Sequence, residues 1–127
     1  MNRHVGNAPD APAAVGPYSH FVTAGDLVFV SGQIPLDPAS GTLVAGDAAA
    51  QARRCLENLK LVLAAAGSSL DRVCRCGLFL VDMADFAAVN AVYAEFFPHD
   101  PPARTTLAVA ALPAGARVEI EAIALRA

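Results

Sequence analysis

The sequence predicts an α+β domain, with two helices on one face of a mostly antiparallel sheet. Three observations predict it. Two stretches repeat apolar residues at helical spacing, and the residues between and around them read as short strands. The order is strand, strand, helix, strand, helix, strand, strand. Several strands are also apolar on both faces, which a sheet with one solvated face would not be. The chain has 127 residues, the size of one domain spanning 1–127, and 55% of them are hydrophobic.

The elements follow in chain order. Residues 1–17, with Pro9, Pro12 and Pro17, read as an extended arm. A weak strand near 19–24 leads to "LVFVSGQI" (27–34), rich in β-branched and aromatic residues. "PLDPASG" (35–41) is a turn. A helix over 47–66 starts at the capping Asp47 and stops at Gly67. Its apolar face holds Ala52, Cys55, Leu56, Leu59, Leu63 and Ala66. "RVCRCGLFLV" (72–81) is the next strand. Asp82 caps a second helix, with Asp85 in a box-like position, and Pro98 ends it. Phe86, Val89, Tyr93 and Phe96 form its stripe. Strands over 104–111 and 117–126, joined by "LPAG", read as a closing hairpin.

Two helices cover only one face of a sheet. Leu27 and Phe29 point away from Val28, Val30 and Ile34, and Ile123 and Leu125 share a face with Glu119 and Glu121. A second copy of the sheet is the simplest cover, so the pattern predicts a homo-oligomer with sheet faces in a shared core.

Net charge is −3 with no basic run, which argues against a nucleic-acid surface. The N-terminus lacks a signal-peptide layout, and no apolar run approaches about 18 residues, so a cytoplasmic, non-membrane protein is expected. Cys55, Cys74 and Cys76 read as free thiols. The last two would share one strand face, and all three are expected to be buried and inert. His4, His20 and His99 lack ligand spacing, so no metal is expected.

Charges inside the apolar strands raise the functional question. In a hairpin, Glu121 would lie opposite residues 106–107, within reach of the Arg104 guanidinium. The pair reads either as a structural ion pair or strand-end charges, or as a site for a small anion. In the second reading, Arg104 grips a carboxylate through two bonds and Glu121 positions water or moves a proton. "SGQIP" (31–35) offers the Ser31 hydroxyl and close backbone approach at Gly32, or simply a bulged strand end. Tyr18 in "GPYS" reads as packing or as a site residue, and Asn90 as a surface amide or a site residue.

Together, "APAAVGPYSH", "LVFVSGQIPLDPASG", "QARRCLENLKLVLAAAG", "DFAAVNAVYAEFF" and "PPARTTLAVAALPAGARVEIEAIA" resemble the RidA/YjgF (L-PSP) family of enamine/imine deaminases over nearly the whole chain. The resemblance implies a chorismate-mutase-like fold and a homotrimer with a barrel-like core and clefts between subunits. It implies hydrolysis of 2-imino acids and enamines, such as 2-aminoacrylate, to 2-keto acids and ammonia, without a cofactor. By this resemblance Arg104 clamps the carboxylate and Glu121 orients water, while Tyr18, Ser31, Gly32 and Asn90 line the cleft. Thr106 stands where many members have cysteine, and that position contributes largely through its backbone. Ala108 stands where many are acidic. Both departures suggest a neighbouring subgroup with its own side-chain preference. Other readings are a non-catalytic binder of small carboxylates, a related C–N hydrolase of a degradative pathway, and, least favoured by the charge, a ribonuclease.

Overall fold

A computed structural model describes residues 2–127. It contains β1 (Arg3–Gly6), β2 (Phe21–Ala24), β3 (Leu27–Gln33), α1 (Ala48–Ala65), β4 (Val73–Leu80), α2 (Phe86–Phe96), β5 (Ala103–Ala108) and β6 (Val118–Leu125). One six-stranded sheet runs β1-β2-β3-β6-β4-β5. Two helices pack on one face of this mostly antiparallel sheet, as the sequence predicts. β1 is an addition: four residues of the expected arm pair with β2 at the sheet edge.

The closing hairpin is a correction. β5 pairs in parallel with β4, and β6 runs antiparallel between β3 and β4. Parallel neighbours need a crossover, and α2 supplies it. Residues 109–117 then carry the chain back to the centre of the sheet. β6 belongs there because Val118, Ile120, Ala122 and Ala124 form an apolar row, each at most 4% exposed. A hairpin would have left that row at an edge.

α1 forms because its apolar positions recur at helical spacing and Asp47 accepts the Ala50 N–H at 3.0 Å. Gly67, in a left-handed conformation at φ +75°, follows its end. Leu56, Leu59, Val62 and Leu63 are fully buried in one core with Val28, Leu78 and Ile120. Truncating such a leucine to alanine costs about 2–5 kcal/mol. α2 begins later than expected. Asp82 caps a single helical turn, Met83–Asp85, by accepting from Ala84 N, and the α-helix proper starts at Phe86. Asp85 instead receives both bonds of Arg117 Nη2, each 2.9 Å, tying α2 to the entry of β6.

A bulge between Val73 and Arg75 breaks the alternation of β4. Cys74 is therefore exposed while Cys76 and Cys55 are buried, which corrects the expectation of three buried thiols. Burial pushes the Cys55 and Cys76 thiols up, so neither is a ready thiolate.

The sheet face away from the helices is uncovered. Leu27, Phe29, Leu107 and Leu125 keep 38–50% exposure on it, beside Glu119, Glu121 and Ile123. Among the described residues, no helix is long and apolar enough to cross a membrane.

Candidate active site

Two groups of polar residues stand out, and they lie on different parts of the sheet. The first surrounds a cavity of about 500 Å³. A bulge between Val30 and Gln33 lifts Ser31 and Gly32 out of the β3 ladder. Ser31 holds the N-terminal arm in place. Its hydroxyl donates to the Ser19 carbonyl at 2.6 Å, and its N–H donates to the His20 carbonyl at 3.0 Å. Tyr18 follows on that arm, and its hydroxyl accepts the Val15 N–H at 3.3 Å. Tyr18, Ser31 and Gly32 all line the cavity.

The glutamate lining it is Glu119, not Glu121. Glu119 lies against Gly32 so closely that a Cβ there would fall 2.7 Å from its carboxyl carbon. Burial raises the Glu119 pKa, and the neighbouring Glu121 charge raises it further. Loop anchors shape the remaining wall. Asn58, fully buried, donates to the Ile34 and Leu36 carbonyls at 3.2 and 2.9 Å. Gln51 accepts the Arg117 N–H at 2.8 Å, behind the Pro113–Gly115 turn. In that turn Ala114 adopts φ +60°, an uncommon conformation for a residue with a Cβ, and it faces the same cavity.

The second group lies where α2 crosses β5. Arg104 stands beside Cys76 in register, on the helix side of the sheet. Its guanidinium sits 4.7 Å from the Tyr93 ring centre and 5.8 Å from that of Phe86, within cation–π range. Among the described residues Arg104 has no ion pair. Asn90 Oδ1 and Thr106 Oγ1 are buried without hydrogen-bond partners, and the buried Tyr93 Oη has only the Cys76 thiol beside it. Asn90 and Tyr93 share one face of α2, and Thr106 points the same way as Arg104. An unsatisfied buried polar group costs about 1–3 kcal/mol, which marks this cluster as a candidate site. Burial pushes the Tyr93 phenol well above its ordinary value, which keeps it a donor.

Glu121 belongs to neither group. It lies over Gly77, 3.7 Å from Arg75, in a half-exposed ion pair. The expected proximity of Arg104 and Glu121 fails with the hairpin, because β4 separates their strands. Sequence reasoning missed Glu119 because "EIE" places both glutamates on one face. Only the β3 bulge distinguishes them, by bringing Gly32 against the first. Tyr93 read as apolar stripe, and nothing in the local pattern marked its buried hydroxyl.

Across the sheet, β6 and β4 lie between β3 and β5, a span of about 14 Å at ordinary strand spacing. Arg104 and Glu119 also face opposite sides. One copy of the chain therefore does not bring the two groups together.

Residues 8–126 match the family model described as endoribonuclease L-PSP. The protein DfrA of Myxococcus xanthus is 54% identical over 127 residues, which cover 98% of this chain and 97% of DfrA. The mouse 2-iminobutanoate/2-iminopropanoate deaminase is 46% identical, with 98% of this chain and 92% of that protein covered. The crystal structure of Escherichia coli TdcF with bound serine superimposes with a TM-score of 0.91 at 42% identity, covering 98% and 99% of the two chains. The chain belongs to the RidA/YjgF family.

Proposed function

We propose that the protein is a cytoplasmic hydrolase that deaminates 2-imino acids and their enamine tautomers to 2-keto acids and ammonia. It acts as a homotrimer whose sites form between subunits. The observation that carries this reading is the division of the polar groups. A cationic half (Arg104, Asn90, Tyr93, Thr106) has buried atoms without partners, and an acidic half (Tyr18, Ser31, Gly32, Glu119) opens on the uncovered side of the sheet. Each lacks what the other has. Relatives 43–46% identical are named 2-iminobutanoate/2-iminopropanoate deaminase, which supports the same chemistry.

Arg104 grips the substrate carboxylate through a bidentate pair, held flat by the Tyr93 and Phe86 rings. Asn90 and Thr106 complete that binding wall. The enamine first gains a proton at carbon and loses one from nitrogen to become the imine. Glu119 then orients water and accepts its proton as oxygen attacks the C=N carbon. Glu119 returns that proton to nitrogen to give the carbinolamine, then takes the hydroxyl proton and passes it to the amine, so that ammonia leaves as the ketone forms. Imines already hydrolyse unaided, so positioning and one proton carrier suffice. Glu119 takes the water-orienting role from Glu121, which its ion pair with Arg75 occupies.

The test generates 2-imino acids in situ with an amino-acid oxidase in the presence of semicarbazide. The protein should lower the trapped fraction, while Arg104→Ala and Glu119→Gln should not. A second reading, a binder of small carboxylates, gains support from the relative solved with serine. It predicts thermal stabilisation by 2-keto acids that needs Arg104, without ammonia release.

A further inference from the structure

The cavity beside Glu119 is larger than the reacting atoms need, and its walls limit what else it can hold. It measures about 500 Å³. Pro12, Val15, Ile34, Leu36, Pro113 and Ala114 give it apolar sides, drawn from the N-terminal arm, the segment after β3 and the turn before β6. Most of its polar lining is already engaged within the chain. The Ser31 hydroxyl donates to the Ser19 carbonyl at 2.6 Å, and Gln33 Nε2 donates to the Ser31 carbonyl at 3.1 Å. Tyr18 Oη accepts the Val15 N–H at 3.3 Å. His20 Nδ1 accepts the Ala8 N–H at 2.9 Å, and its Nε2 has no exposed surface. Among the described residues, the lining contains no lysine or arginine and no carboxylate besides Glu119.

The shape of an imine directs its side chain here. The imine carbon is trigonal, with carboxylate, nitrogen and side chain spread evenly in one plane. In the site proposed above, the carboxylate leads toward the cationic half. Nitrogen and side chain then fan out toward the acidic half, which contains the cavity. An apolar side chain gains by leaving water for these walls. A side chain with its own carboxylate meets the Glu119 charge with no cation to offset it. A lone methyl leaves most of the cavity to water.

We propose that this cavity is the side-chain subsite, and that the preferred substrates are imines of amino acids with large apolar side chains rather than small or acidic ones. The assignment rests on the deaminase reading and deepens it. Three more buried carbons, at about 0.8 kcal/mol each, favour the leucine-derived imine over the alanine-derived one by about 50-fold.

The test makes imines in situ from leucine, alanine and glutamate with amino-acid oxidases. The protein competes with semicarbazide for each, so the partition gives a relative kcat/KM that does not depend on the rate of supply. Wild type should favour the leucine-derived imine over the alanine-derived one by about 50-fold and hydrolyse the glutamate-derived one most slowly. Ala13→Phe and Ile34→Phe put a ring into the cavity from two different segments, and Ala13 is exposed enough to accept one. Either should cut the leucine-to-alanine ratio about tenfold. Because each ratio is taken within one variant, a loss of folded protein does not move it. A fall in either variant supports the subsite. A wild-type ratio near one, a glutamate-derived imine hydrolysed as fast as the leucine-derived one, or a ratio unchanged in both variants overturns the proposal while the deaminase reading stands. If wild type hydrolyses none of the three, the deaminase reading fails, and calorimetry with 4-methyl-2-oxopentanoate, pyruvate and 2-oxoglutarate reads the subsite instead. Tightest binding of 4-methyl-2-oxopentanoate, weakened by Ala13→Phe, then supports it. Equal affinities, or no binding of any, overturn it.

Discussion

Gly32→Ala separates the two glutamates of "EIE" by a single methyl. The new Cβ would fall 2.7 Å from the carboxyl carbon of Glu119 and 3.1 Å from its Cγ, well inside contact distance. The Glu119 side chain is flexible, so it moves and the backbone stays. A side chain driven from its rotamer loses about 0.5–1.5 kcal/mol. Gly32 does not need a positive φ, so alanine returns about 0.4–1 kcal/mol by restricting the unfolded chain. The two effects nearly cancel, and Tm should stay within about 5 °C of wild type. Activity should not stay. A carboxylate displaced by about 1 Å from its water loses about 10²-fold in rate. Gly77→Ala is the matched control, since its Cβ would fall 2.8 Å from Glu121 Cγ and displace that glutamate instead. The assay is kcat/KM on an in situ imine, with Tm by scanning fluorimetry. Full activity in Gly32→Ala, or an equal loss in Gly77→Ala, refutes the assignment of Glu119.

Other outcomes follow from the same geometry. Arg104→Lys should lose nearly as much turnover as Arg104→Ala, because an ammonium neither forks onto a carboxylate nor stacks on Tyr93; recovery in the lysine variant argues against bidentate binding. Glu119 has a raised pKa, so its unfolded form ionises first as pH climbs past its ordinary value of 4.5. It therefore costs stability increasingly until the folded carboxyl ionises too. Glu119→Gln should accordingly be more stable than wild type near about pH 7, with the gap closing near about pH 4, as read by Tm against pH. The same shift moves the acid limb of the wild-type rate profile upward from the ordinary carboxylate range. Asn58→Ala removes the side-chain donor from the Leu36 carbonyl, while the Ile34 carbonyl keeps the Leu36 N–H at 2.8 Å, and should cost about 1–3 kcal/mol in urea unfolding, where a loss under about 0.5 kcal/mol would deny the loop anchor its role.

Much of the fold was legible because periodicity reports burial. The α1 face, its Asp47 cap and its Gly67 stop were read at the right residues, since each rests on local chemistry. The row from Val118 to Ala124 read correctly as one buried face. What the row did not reveal was its neighbours. Strand pairing is a long-range choice, and "LPAG" has the turn residues of a hairpin while serving a crossover return. The Arg104–Glu121 proximity was inferred from that pairing and went with it. Cys74 was misread for a related reason, since one bulged residue reverses an alternation that composition does not mark. Tyr18, Ser31 and Gly32 did come together around one cavity, and Arg104, Asn90 and Thr106 gathered at another place. Choosing Glu119 over Glu121 needed the register of a bulge in a different strand.

The central claim is that one catalytic site draws its acid half and its cationic half from different subunits. Mixing Arg104→Ala and Glu119→Gln chains by co-refolding, then measuring imine hydrolysis, tests it directly. Each variant alone should be inert. In a random mixture, each intersubunit site receives an intact half from both sides about a quarter of the time, so about a quarter of wild-type turnover should return. No recovery in assembled mixed oligomers, with wild type active under the same conditions, would contradict the account.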